Sequence, residues 1–171
     1  MIAKHTVQCV NEVAAYLNSL AEDKARSALA KCCGAQRWVD ELLAARPFTS
    51  DAALLAHAER AWWALGREDW LEAFQDHPRI GERTAEEWSR REQAGVDTAA
   101  AATRAALARE NVAYIERFGY LFLTCATGKT AGELLGELRR RLGNDPATEL
   151  RIAAGEQAKI TRLRLEKLVA P

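Results

Sequence analysis

The sequence predicts an all-α fold, a single-domain helical bundle of about eight helices, and three observations lead there. Ala, Leu, Glu and Arg dominate, β-branched runs are almost absent, and only ten glycines and four prolines punctuate 171 residues. Helices therefore have strong formers, and strands have little to build from. Apolar residues recur at helical spacing through most of the chain, and at 49% of the total they suffice to bury one continuous core.

Asn11 to Leu20 sets Val13, Ala14, Leu17 and Leu20 at helical spacing, with Asn11 as the expected N-cap. A second helix is predicted over Lys24 to Cys33, stopped by Gly34, and a third through Trp38, Leu42 and Leu43 ahead of Pro47. Asp51 is the expected cap of a strongly amphipathic segment, Leu54, Leu55, Ala58, Ala61, Trp62 and Leu65, which ends at Gly66. A short helical piece through Trp70, Leu71 and Phe74 follows, and there the periodicity stops. Gln75 to Arg83 reads QDHPRIGER; Pro78 holds the residue before it extended and Gly81 allows a turn, which marks the expected functional loop. Thr84 to Gln93 fits a short helix, and Thr98 opens a long one through Ala102, Ala105, Leu107, Val112 and Ile115 to Phe118, interrupted at Gly119. Thr130 to Leu142, ending at Gly143, and about Pro146 to Val169, with Ile152, Ile160, Leu163 and Leu168, complete the set.

Several function classes are disfavoured. Lysine plus arginine and aspartate plus glutamate each total 24, whereas nucleic-acid binders carry a basic surplus or stripe, so no nucleic-acid partner is expected. The most apolar stretch, near Tyr120 to Ala126, is far below the roughly 20 residues that cross a bilayer. No charged-then-apolar leader is evident, and a soluble cytoplasmic protein with no membrane partner is expected. Cys9, Cys32, Cys33 and Cys125 include a vicinal pair but no C-x-x-C; they read as reduced thiols, with no metal site. Gly128-Lys129-Thr130 resembles the tail of a phosphate loop, but Leu123 occupies the position of the required glycine, which rejects a nucleotide site. Trp38, Trp62, Trp63, Trp70 and Trp88 read as helix-packing core and rim.

Among candidate chemical groups, His77 is the one histidine in an aperiodic, proline-fixed loop; His5 is near a terminus and His57 falls within a predicted helix. Ser89 and Glu92 or Gln93 fall within one helical turn and can share a face, although Arg90 and Arg91 beside them equally suit a solvated polar face. Arg162 and Arg164 lie near the end of the last helix, where cations also complement the helix dipole.

Taken together these segments carry a resemblance. CGAQRW near Cys33, RPF at Arg46, HPRIG at His77, S-x-x-EQ-x-G at Ser89, RFG-x-x-F at Arg117, RRL at Arg140 and KI-x-x-LRL at Lys159 occur in that order. The chain thus resembles the 2-oxo-4-hydroxy-4-carboxy-5-ureidoimidazoline (OHCU) decarboxylases of urate breakdown, over about residues 30 to 168. The resemblance implies an all-helical homodimer that acts on a small-molecule ureide without cofactor and yields (S)-allantoin and carbon dioxide. It implies that His77 is the proton donor, with Pro78 a neighbouring substrate contact. Ser89, Arg90, Arg91, Glu92 and Gln93 would line the pocket with Glu92 as the acidic member, and Arg164 would hold the substrate. Phe122, Leu123, Thr124, Cys125 and Ala126 would contribute largely through main-chain groups, although Leu121 stands where many relatives have proline. Peroxisomal relatives end in a targeting tripeptide and this chain ends Val169-Ala170-Pro171, which suits a bacterial-type cytoplasmic enzyme.

The implied chemistry explains why three residue types suffice. Electrons released with carbon dioxide from C4 flow towards the adjacent C5=N bond, so the substrate is its own electron sink. The protein then holds the carboxylate, stabilises developing charge and delivers one proton to one face of C5. Two alternatives stand beside this one: a helical interaction module that has lost turnover, and a hydrolase acting on 5-hydroxyisourate, for which the sequence offers no β segment.

Overall fold

The computed structural model of the chain describes residues 12–77 and 98–169, and among these there are eight helices and no strand. They form two compact units, one from the described residues up to Leu65 together with those from Thr161 onward, the other from Gly66 to Ile160. The all-α expectation holds.

The first unit contains α1 (Glu12–Ser19), α2 (Glu22–Cys32), α3 (Gln36–Ala44) and α4 (Asp51–Ala64). α1 packs on α2 and α4, and α3 lies against both α2 and α4. Leu17, Leu29, Trp38, Leu42, Leu54 and Trp62 are almost wholly buried, and the Trp38 indole N–H is satisfied by the Ala58 carbonyl at 2.9 Å. Trp63 stays 40% exposed, on the rim; Trp88 lies outside the described residues.

Helix ends are where local reading needs correction. α2 starts at Glu22, two residues before the expected Lys24, and its C-cap is Cys33, in extended backbone, rather than Gly34. The cap of α4 is Ser50, whose hydroxyl accepts from the Ala53 amide at 3.0 Å, and not Asp51. Asp51 instead accepts from the Ala14 amide at 2.7 Å, so it satisfies a first-turn donor of α1. That assignment depends on α1 lying against α4, which no local window contains. The expected cap Asn11 lies outside the described residues.

The second unit contains α5 (Arg67–Gln75), α6 (Thr98–Phe118), α7 (Ala131–Leu142) and most of α8 (Pro146–Glu166), with α6 packed on α7. Gly119 stops α6 at φ +80°, a left-handed value that favours glycine. Thr130 and Glu133 form a reciprocal capping box at the start of α7. The inner face of α6 is Leu107, Asn111, Tyr114 and Phe118, while Ala102, Ala105 and Val112, expected to face the core, are exposed. On α8 the buried positions include Glu149, Ala153, Glu156, Gln157 and Thr161; Ile152, Ile160 and Leu163 are only half-buried, and the helix ends at Glu166 rather than Val169. Both inner faces carry polar groups, which is why apolar periodicity misjudged their register.

Candidate active site

His77 sits where α5 runs out. Gly66 caps the helix start, its amide donating to the Asp69 carboxylate at 3.0 Å, and Asp76 is the C-cap. The His77 amide reaches back to the Phe74 carbonyl at 3.4 Å, so the imidazole leaves the helix on a single turn. Its Nε2 atom is buried, although the residue as a whole is half-buried. Phe74 anchors this end, with its ring centroid 5.4 Å from that of Tyr120, two residues ahead of Phe122. The His77 turn and the 122–126 segment are thereby tied together through an aromatic contact. Pro78, Ser89, Arg90, Arg91, Glu92 and Gln93 lie outside the described residues.

The 122–126 segment belongs to no helix, yet Phe122, Leu123 and Thr124 are buried, with Cys125 half-buried and Ala126 exposed. Buried irregular backbone needs hydrogen-bond partners, and here charged side chains supply them. Arg141 Nη1 donates to the Leu123 carbonyl at 2.7 Å, and the Glu156 carboxylate accepts from the Cys125 amide at 2.7 Å. The Ala126 carbonyl accepts from the Lys129 amide at 3.0 Å. The Thr124 hydroxyl donates to Glu137 at 3.1 Å and accepts from Lys129 Nζ at 2.7 Å.

Behind the segment lies a buried ionic cluster. Arg141 is fully buried and pairs with Glu149, also fully buried, through Nη2 at 2.6 Å and Nε at 2.7 Å. Tyr114 donates its hydroxyl proton to the same Glu149 oxygen, and Asn144 satisfies the other at 2.7 Å. The Arg141 guanidinium also lies 4.7 Å from the Phe122 ring centroid. Burial and the Glu149 bond push the Tyr114 phenol far above its usual value. Burial alone would raise the Glu137 carboxyl, but bonds from Lys129, Thr124 and Arg141 outweigh it and hold the group low. Glu156 is likewise held low, with Lys159 at 2.6 Å and the Cys125 amide overcoming burial.

Arg164 belongs to the first unit and works there on α2. Its Nη1 contacts the Lys31 and Cys32 carbonyls, both at 3.4 Å, at the negative end of that helix. Burial pushes the Cys32 thiol up to about 11, against the opposing pull of Arg164. Cys32, Cys33 and Cys125 are in no disulfide; Cys9 lies outside the described residues. Among the described residues no group of three or more His, Cys, Asp or Glu is placed to hold a metal ion, and no helix is long and apolar enough to cross a membrane.

Sequence reading missed the cluster itself. Its signal was nevertheless present: Arg141 continues the Leu134, Leu138 stripe of α7, and Glu149 and Glu156 share the inner face of α8 with Ala153. A charge on an apolar stripe asks for a buried partner.

Residues 18–166 match the family model of OHCU decarboxylase. The chain belongs to the OHCU decarboxylase family. It is 39% identical over 145 residues to the uric acid degradation bifunctional protein TTL of Arabidopsis thaliana, covering 80% of this chain and 45% of that protein. It is 31% identical over 153 residues to the 2-oxo-4-hydroxy-4-carboxy-5-ureidoimidazoline decarboxylase of Haloferax volcanii, covering 87% of this chain and 91% of that one. The chain thus spans about half the length of the first curated relatives it matches, the Arabidopsis protein at 45% and the Amia calva decarboxylase at 51%. A crystal structure of OHCU decarboxylase in the presence of (S)-allantoin superposes with a TM-score of 0.71 at 35% identity, covering 89% of this chain and all of that one.

Proposed function

We propose that this member of the OHCU decarboxylase family decarboxylates 2-oxo-4-hydroxy-4-carboxy-5-ureidoimidazoline to (S)-allantoin and carbon dioxide, as a cofactor-free cytoplasmic homodimer whose residues act as one domain. The observation that carries this reading is the family match across residues 18–166, which runs through both units and includes His77, Glu92, the 122–126 segment and Arg164. The electron pair of the C4–carboxylate bond forms a C4=C5 bond, the displaced C5=N pair takes a proton at nitrogen, and carbon dioxide leaves. C5 then receives its proton while the C4 hydroxyl loses one to become the carbonyl of allantoin.

His77 delivers the proton to C5, since an imidazole titrates near neutral pH and can give and retake a proton. Its place on a single turn beyond α5, tied through Phe74 to Tyr120, supports that role. Glu92 orients the imidazole and the substrate's donors. Pro78, Ser89, Arg90, Arg91 and Gln93 complete the lining. Phe122 to Ala126 meet the ligand through main-chain groups, and Arg164 offers the donors that its Nη1 contact with α2 leaves over. Freshly generated OHCU supplied to the purified protein should decay faster than in buffer, with optically active allantoin accumulating. Decay at the buffer rate, or a racemic product, would remove the activity.

A further inference from the structure

The 123–125 backbone is gripped by two oppositely charged side chains from different helices, one on each peptide unit beside Thr124. The Leu123 carbonyl faces Arg141 on α7 at 2.7 Å, and the Cys125 amide faces Glu156 on α8 at 2.7 Å. Both peptide units are trans, because Arg46–Pro47 is the only cis bond among the described residues. In a trans unit the C=O and N–H point in opposite directions. With the 123 carbonyl turned to Arg141, the Thr124 amide is turned away from it; with the 125 amide turned to Glu156, the Thr124 carbonyl is turned away from that carboxylate. One donor and one acceptor of a single residue are thereby aimed by two charges.

Each grip is itself braced. Glu149 holds the Arg141 guanidinium at 2.6 and 2.7 Å. Lys159 takes Glu156 Oε1 at 2.6 Å, while Oε2 accepts from the Cys125 amide at 2.7 Å and, at 3.4 Å, from the Thr124 hydroxyl. Charge-assisted bonds of this kind are short and directional, and an irregular segment has no helical ladder to set its peptide planes.

We infer that Arg141 and Glu156 are positioning residues, which act through the backbone to present the Thr124 N–H and C=O as a donor–acceptor edge for the complementary C(=O)–NH edge of a ureide. The inference rests on the substrate class proposed above. Neither residue touches the reacting atoms; each controls where two main-chain atoms stand. Misplacing a substrate contact by an ångström can cost on the order of 10²-fold in rate.

The test compares Glu156→Ala, Glu156→Met and Glu156→Gln with the unaltered protein. Ala and Met remove the acceptor of the Cys125 amide, and Met also fills the space should the Ala variant fail to fold; Gln keeps one oxygen for that amide and gives up the Lys159 contact. KM for OHCU should rise about 10- to 100-fold in the first two and recover most of the way in the third. Ser50→Ala, which weakens an α4 cap distant in sequence, should lose stability with KM unchanged. In ¹⁵N-labelled protein titrated with allantoin, the Thr124 amide signal should move, and that movement should be absent in Glu156→Met. A folded Met variant with normal KM, or a Gln variant no better than Met, overturns the inference. Failure of the unaltered protein to turn over OHCU removes the proposed activity instead, and the allantoin titration then decides the inference: an unmoved Thr124 signal removes it as well.

Discussion

Up to Leu65, the largest fully buried side chains are Trp38, Trp62, Leu17, Leu29, Leu42 and Leu54, whereas between Gly66 and Ile160 they are Arg141, Tyr114, Phe74, Leu107, Leu134 and Leu138. In the first region polar groups work at helix ends: Asp51 on the Ala14 amide, Ser50 on the Ala53 amide, Arg46 on the Leu20 carbonyl. In the second they cap helices too, as at Thr130 and Glu133, but they also work at the centre, around a stretch of backbone that belongs to no helix. Apolar burial is non-directional and can hold helices together without specifying where any one atom points. Aiming a peptide group requires a hydrogen bond, and in a buried setting a charged partner makes that bond strong at the cost of its own desolvation.

The largest loss is expected at Arg141. Arg141→Met leaves Glu149 buried without its cation, and urea unfolding should show a loss of about 3–5 kcal/mol. Arg141→Met with Glu149→Leu should recover much of that loss, because no lone charge remains. A harmless single change would mean that the cluster does not hold the second region. Leu42→Ala is the matching change in the first region, since Leu42 is fully buried, and should lose about 2–5 kcal/mol through an unfilled cavity. Its loss should keep the same size across pH.

His77→Asn separates chemistry from holding. Turnover should drop by roughly 10² or more with the melting temperature little changed. Because an unguided proton can reach either face of C5, the allantoin should also lose optical activity. Fast formation of a single enantiomer by a folded His77→Asn protein would take the imidazole out of the proposed mechanism. Ser50→Ala should cost about 1 kcal/mol, read as a shift in the urea midpoint; no shift would make the Ala53 contact incidental.

The smallest effect expected is that of acid. The carboxyls of Glu137 and Glu156 are held below their ordinary value of 4.5 in the folded chain. The folded state therefore binds these protons less readily than the unfolded one. The resulting stability is fully present above the ordinary value and is lost as pH falls through the lowered ones. Urea midpoints taken from pH 7 down to 3 should decline at the acid end, and Glu156→Gln should blunt that decline. An unchanged acid limb in Glu156→Gln would show that the carboxylate contributes nothing by its charge.

Residue order by itself determined the helical class, most helix spans, the break in periodicity at Gln75 to Arg83 and the family likeness, because these depend on windows of a few residues or on motif order. His77 stood out as a candidate for the same reason: Pro78 and Gly81 break the helical pattern of the sequence without reference to any other part of the chain. Only the tertiary structure decided that Asp51 serves α1 rather than α4, that Asn111 and Tyr114 face inward while Val112 faces out, and that Arg141 and Glu156 hold the 123–125 backbone. Each of those facts concerns partners 18 to 37 residues apart or the rotation of a helix about its axis. A buried charge looks the same in sequence as a solvated one until its counter-charge is brought beside it, and it is packing that brings it there.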